Sequence, residues 1–286
     1  EQGWRVRVLD NLSSGKAAML GPAQDTVELV VGDVRNADVV AHAAAGCTAI
    51  FHLAAMVSVI QSVEEPRQAY ETNLLGTLNV LDAARRSGAE RVVLASTCAI
   101  YGDTEKLPVS ETDLPRPLSP YAATKLAAEH ACNLYTHLYG LETVALRFFN
   151  VYGPRQDPAS PYAAVVPKFV ELLRAGKQPT IYGDGQQTRD FIFVGDIVRA
   201  LQTAATAPGI GGEVFNVGRG QEYSVLDLAE AIADLLGIAV EPRFAPSRTG
   251  EVRHSRADIS RFATLAGFHA ETGLVTGLAA TIGDSV

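Results

Sequence analysis

Basic residues are scarce in this chain and never gather. Across 286 residues, 24 Lys and Arg face 32 Asp and Glu, for a net charge of −8, and no basic run exceeds a pair. Nucleic acid and anionic membrane surfaces are therefore excluded as the main partner, although a few placed arginines can still hold an anionic small ligand. Cysteine is equally sparse. Cys47, Cys98 and Cys132 are odd in number and match no metal-ligand spacing, so neither a disulfide framework nor a metal site is expected. Buried free thiols in a reducing compartment fit better, and cytoplasmic residence is the expectation. No apolar run approaches membrane-spanning length, no signal-peptide pattern is visible, and no repeat or low-complexity segment occurs.

What is present is the texture of a globular protein, with 47% hydrophobic and 20% charged residues. The first half alternates strand-like and helix-like stretches, the pattern of a parallel sheet wrapped by helices. "VELVVGD" (27–33), "AIFHLAA" (49–55), "RVVLAST" (91–97) and "TVALRFFNVYG" (143–153) read as strands. "ADVVAHAAAG" reads as a helix closed by Gly46. A longer helix follows Pro66, with Tyr70, Leu74, Leu78 and Leu81 on one face, and stops at Gly88. Pro, Gly and Gln cluster from 154 onward, which predicts a first domain over 1–153 and a smaller second region over 154–286. Segments near 189–218 return to the first domain.

The chain opens "EQGWRVRVLDNLSSG". Val6, Val8 and Leu9 lead into Asp10 and then a turn-rich loop, which reads as a strand ending in an acidic residue at a ligand-facing sheet edge. In a dinucleotide-binding βαβ unit such a residue closes the second strand, about 20 residues after a glycine-rich turn. No such turn precedes Asp10 here. The expectation is that the first strand and its phosphate-gripping turn are missing. Their neighbours would then show unpaired edges, and this chain alone would bind a dinucleotide poorly.

Two constellations carry chemistry. In "SPYAATKLAAEHACNLY", Tyr121 and Lys125 stand four apart on a helix, so both project from one face. A phenol is a poor base at neutral pH, and an ammonium beside it stabilises the phenolate. The spacing alone arises often by chance; its position after a late strand of a doubly wound pattern gives it weight. In "LASTCAIYGD", Ser96 and Thr97 end a strand where open α/β sheets bind ligands, although a Ser/Thr turn at a strand end is common.

Asp10, "FHLAA", "ETNLLGT", "STCAIYG", "YAATK", "RFFNVYGP", "GDGQQTRDFIFVGDI" and "FNVG" follow one another in a single order. Together they resemble the extended short-chain dehydrogenase/reductase family, specifically its nucleotide-sugar epimerases, over essentially the whole chain. The resemblance implies an α/β fold: a Rossmann-type doubly wound parallel sheet, truncated at its N-terminus, plus a smaller C-terminal substrate domain. It implies NAD as cofactor, a UDP-sugar as substrate, and a homodimer paired through the helices at 66–87 and 121–139. Tyr121 is then the catalytic base, Lys125 its support and a ligand of the nicotinamide ribose, and Thr97 the strand-end hydroxyl. Asp10, with Asn11, Ser13 and Ser14, would hold the adenosine ribose, and its carboxylate would repel a 2′-phosphate. Asp33 and Val34 would flank adenine. Leu53, Ala54, Ala55, Asn73 and Phe148 would lie along the dinucleotide. On the substrate side the resemblance implies Ser96, Asn150, Gln156, Val165 and Tyr182. Arg189 and Arg248 would face the diphosphate, with Glu251 nearby and Ser255 walling the sugar pocket.

The implied reaction is 4-epimerisation through a transient 4-keto sugar. A dehydratase or decarboxylase of the same family is the alternative, and an inactive dinucleotide-binding fragment is another. Dehydratases of the family place an Asp-Glu pair after the strand-end hydroxyl, whereas Cys98 and Ala99 stand here. "RQDPASPYAAVVPKF" and "GEVRHSRADIS" resemble the branch that interconverts UDP-N-acetylglucosamine and UDP-N-acetylgalactosamine. A small Ser255 leaves room for an N-acetyl group, and the same residue also suits UDP-glucose and UDP-galactose.

Overall fold

In a computed structural model, residues 3–158, 164–247 and 252–283 are described. They form two compact units, one of 1–96, 119–145 and 208–213, the other of 97–118, 146–207 and 214–286. Contacts thus divide the chain elsewhere than at the change of texture near 154, and each unit is described by itself.

The first unit is built from parallel strands and their crossover helices. Strands β1 (Arg7–Asp10) and β2 (Glu28–Val31) pair in parallel, with Asp10 opposite Val31. Helix α1 (Ala37–Ala44) follows; Asn36 caps it by accepting the amides of Asp38 and Val39. Strand β3 (Ala49–His52) runs parallel to β4 (Arg91–Thr97), from Ala49 opposite Arg91 to His52 opposite Leu94. β5 (Glu142–Phe148) flanks β4 on its other side. All seven residues of β4 are buried, as expected of an apolar strand covered on both faces. Among the described residues β1 pairs only with β2, so β1–β2 and β3–β4–β5 belong to separate sheets. Trp4 stacks on Phe51 of β3 with ring centroids 6.2 Å apart.

Two sequence expectations change here. "AIFHLAA" is a strand only to His52, and Leu53 is exposed on the irregular segment that follows. The stretch after Pro66 is not one continuous helix. After a short α2 (Val59–Glu64), α3 (Pro66–Tyr70) passes into a π turn (Glu71–Leu75) and then α4 (Gly76–Ser87). The wider turn resets the inward face. Asn73, Thr77, Val80, Leu81 and Ala84 are buried, while Tyr70 is 43% exposed and Leu74 and Leu78 are half-buried. Gly88 closes α4 in the left-handed region, as the sequence suggests. Helix α5 (Pro120–Tyr139) packs beside these helices.

In the second unit, "TVALRFFNVYG" breaks at the buried Phe149 instead of continuing as one strand. Its tail, β6 (Asn150–Tyr152), leaves the β5 ladder and, after α6 (Val165–Arg174), β7 (Thr180–Tyr182) and β8 (Thr188–Arg189), meets β9 (Phe191–Phe193) in parallel. Helix α7 (Val194–Thr206) leads to β10 (Val214–Val217), which runs beside the end of β5, Phe149 N–H donating to Val217 O at 3.0 Å. Then come β11 (Tyr223–Ser224), α8 (Val225–Leu236), β12 (Arg243–Ala245), α9 (Ser260–Ala266) and α10 (Leu274–Gly283). Ser224 and Asp227 form a capping box at the head of α8. The apolar faces of α6, α8 and α10 meet in one core with Tyr152, Ile181, Leu228 and Ile232. Each fully buried side chain of this size contributes about 1.5–3 kcal/mol of burial.

Candidate active site

The first turn of α5 is anchored from outside the helix. Ser119 accepts the amide of Ala122 at 3.2 Å, and Ser62 Oγ accepts that of Tyr121 at 3.1 Å, so two otherwise orphaned donors are satisfied. Tyr121 is half-buried, and one turn later Lys125 is 3% exposed. Its Nζ donates to Ala95 O at 2.8 Å. Burial pushes the amine down to about 8, with Cys132 and Glu129 acting in the other direction. An ammonium at neutral pH one turn from a phenol is the arrangement that stabilises a phenolate.

Beneath this pair lies a buried polar chain. His52 Nε2 and Thr77 Oγ1 are 2.9 Å apart, and Thr77 donates to Asn73 O. Asn73 donates to Met56 O at 3.1 Å and to Thr124 Oγ1 at 3.1 Å, and accepts the Met56 amide at 2.7 Å. Its amide is thus committed to protein, and Asn73 bears on the irregular segment at 53–55 through Met56. Burial, with Lys125 adding to it, pushes His52 down to about 3, so the ring is neutral.

Ser96, read from the sequence as a substrate ligand, is buried and gives its hydroxyl proton to Glu129. Adjacent residues on a strand alternate in direction, and the Ser96 side chain is the one turned to α5.

At the end of β1, Asp10 Oδ1 accepts the Leu12 amide at 2.6 Å. A Cβ at Gly15 would lie 3.7 Å from Asp10 Oδ2, so glycine there leaves that flank of the carboxylate uncovered. Asn11 bonds Ser13 and also donates to Asp33 Oδ2 at 3.0 Å; Ser14 is exposed. Arg35 beside Asp33 holds that carboxyl well below the usual range. Val34 is buried, and a Cβ at Gly76 would lie 2.8 Å from its Cγ2, so glycine is required for α4 to approach. A half-buried carboxylate at a parallel strand's C-terminal end, with a glycine beside it, suits ribose hydroxyls. These residues fit a dinucleotide.

In the second unit, Thr97 caps the short turn Cys98–Tyr101, its Oγ1 accepting the Ala99 amide at 3.1 Å. Burial and Asp190 push the Cys98 thiol up to about 12, and Ser255 hydrogen-bonds it. Asp190, not singled out from the sequence, accepts the amides of Arg219, Gly220 and Ala257 at 2.7, 2.9 and 3.1 Å. Burial still outweighs these bonds and pushes it up to about 6. Asn150 is half-buried, and Arg189 Nη1 donates to Thr188 O at 2.8 Å. Gln156 folds back onto its own turn, its Nε2 donating to Val151 O at 3.2 Å. Phe148 and Val165 are half-buried and Tyr182 is 37% exposed. Arg248 and Glu251 lie outside the described residues.

The description "NAD dependent epimerase/dehydratase family" belongs to a family model that matches residues 1–218. The chain belongs to this family. Its cofactor is NAD, which the Asp10 and Lys125 settings accommodate. The chain is 43% identical over 285 residues to a UDP-glucose 4-epimerase of Mycolicibacterium smegmatis, covering 98% of this chain and 90% of that one. Among solved structures it is similar to the UDP-N-acetylglucosamine 4-epimerase of Methanobrevibacter ruminantium in complex with UDP-N-acetylmuramic acid. The identity is 36% and the TM-score 0.94, over 98% of this chain and 90% of that one. It is also similar to the Thermus thermophilus UDP-glucose 4-epimerase in complex with NAD, at 38% identity and a TM-score of 0.88, over 98% of this chain and 90% of that one. No helix among the described residues is long and apolar enough to cross a membrane.

Proposed function

We propose that this protein is an NAD-dependent UDP-hexose 4-epimerase that accepts N-acetylated sugars, UDP-N-acetylglucosamine and UDP-N-acetylgalactosamine, as well as UDP-glucose and UDP-galactose. The observation that carries the reading is the buried Lys125 one helical turn from Tyr121. Tyr121 takes the proton of the sugar C4 hydroxyl and returns it, and Lys125 stabilises the phenolate between those events. Thr97 offers its hydroxyl to the substrate. Bound NAD supplies a hydride acceptor that is restored each turn, so the sugar passes through a 4-keto form without external oxidant. Asp10 orients the cofactor's adenosine ribose, Asp33 and Val34 flank adenine, and the 53–55 segment follows the dinucleotide. Asn150 and Arg189 bind the diphosphate.

Elimination of water needs an acid and a base beside the strand-end hydroxyl, and Cys98 and Ala99 supply neither, which favours epimerisation over dehydration. Ser255, small and half-buried beside Cys98, supports room for an N-acetyl group. In this reading the first unit serves the dinucleotide and the second the sugar nucleotide, in a cytoplasmic homodimer. Support for the dimer comes from apolar side chains exposed on α2 and α5: Ile60, Val63, Leu134 and Leu138 are 55%, 61%, 53% and 60% exposed. Light scattering of the purified protein reads the dimer directly. Incubation of the purified protein with each UDP-sugar and NAD, followed by chromatography, tests the activity. Interconversion of the C4 epimers is expected, and a 4-keto-6-deoxy product would replace this reading with a dehydratase.

A further inference from the structure

Two consecutive residues of β4 are gripped by two consecutive turns of α5. Lys125 Nζ donates to Ala95 O at 2.8 Å, and Glu129, one turn on, accepts the hydroxyl proton of Ser96. Lys125, Ser96 and Glu129 are 3%, 3% and 5% exposed, so neither rung is diluted by solvent. The next residue in the chain is Thr97, and the residue one turn before Lys125 is Tyr121. Nothing in the mechanism above uses Glu129.

We propose that Glu129 and Ser96 are positioning residues, forming with Lys125 and Ala95 a two-rung clamp that sets the register of the Tyr121 helix on the strand ending at Thr97. This inference rests on the epimerase reading. A single rung would leave the helix free to pivot about it; two rungs one turn apart fix both slide and rotation. Glu129 has a second task through its charge. Among the titratable groups acting on Lys125, His52 on β3 is a neutral ring and Cys132 on α5 is a thiol pushed up to about 12, so neither offers a countercharge near neutrality. The Glu129 carboxylate does, and it holds the proton on Lys125 against the cost of burial.

Glu129→Gln keeps an acceptor for Ser96 and removes the charge. The expected result is an alkaline limb of the kcat–pH profile displaced to lower pH by about one unit, with a matching displacement of the Lys125 amine titration read by NMR. Ser96→Ala removes a rung but keeps the charge, so kcat falls while KM and the limb stay. The loss should be about tenfold, short of the roughly hundredfold that a 1 Å misplacement costs. Glu129→Asp restores the wild-type limb. Wild-type kcat in Ser96→Ala, or an unmoved limb and lysine titration in a folded Glu129→Gln, overturns the clamp. If Glu129→Gln does not fold, Ser96→Ala decides. A wild-type protein inactive on every UDP-sugar overturns the epimerase reading instead, and the lysine titration then still decides whether Glu129 holds the Lys125 proton.

Discussion

Asn73 and the backbone of Met56 bond each other in both directions: Oδ1 accepts the Met56 amide at 2.7 Å, and Nδ2 donates to the Met56 carbonyl at 3.1 Å. A buried side-chain amide thus does for the irregular segment after β3 what a neighbouring strand does inside a sheet. Asn73→Ala would orphan both backbone groups and remove the donor that Thr124 Oγ1 accepts, while Thr124 would still donate to Tyr121 O. The expected cost is about 3 kcal/mol, seen as a lower urea midpoint with an unchanged slope. Asn73→Asp should fare no better, because a carboxylate would face the Met56 carbonyl.

His52 makes stability depend on pH. Its folded value is pushed down to about 3, below the ordinary value of 6.5, so the unfolded chain binds the extra proton between these limits. Stability is therefore full above about pH 6.5 and falls as the pH drops towards 3; at pH 5 the loss is about 2 kcal/mol. Urea titrations at pH 7 and pH 5 should show it, and His52→Gln should flatten that part of the profile.

Gly102 follows the turn after Thr97 with φ 65 and ψ −147, a region open essentially to glycine. A methyl group there would also collide with the carbonyl of Arg116. Gly102→Ala should cost more than about 2 kcal/mol and lower the melting temperature, whereas Ala at the open Gly209 should cost less.

Ser255→Tyr should discriminate between substrates. Turnover of UDP-N-acetylglucosamine should fall about a hundredfold while that of UDP-glucose is kept. Equal loss on both would refute the pocket-wall role.

Much of the fold was legible because period and punctuation coincide. β4 runs over the seven residues its apolar pattern marks, and Gly88 ends α4 where expected. The fifth strand was read too long because apolar content does not reveal which ladder a residue joins; only pairing shows β6 leaving for β9. That Tyr121 and Lys125 share one helix, one turn apart, was legible from their spacing together with their place after a late strand. Glu129 and Asp190 were not, since an acidic residue on a helix or in a loop is usually solvated, and burial alone sets these two apart. Glu129 did leave one trace, its place four residues after Lys125, which puts it on the same helical face. For Ser96 the sequence holds no sign of its partner: it is buried with its hydroxyl on Glu129, a long-range contact that a strand-end Ser-Thr pair does not announce.

The π turn at Glu71–Leu75 has a consequence for how this helix tolerates change. Residues on either side of it keep ordinary helical geometry, so the inserted residue acts as a phase shifter between them. Deleting one residue there would relax the helix to 3.6 per turn and rotate everything upstream by about 100° relative to α4. α4 could stay seated only by swinging α3 away from α5; α3 could stay only by unseating Thr77 from His52. Point substitutions on this helix can be absorbed one at a time, but its length cannot drift by a single residue.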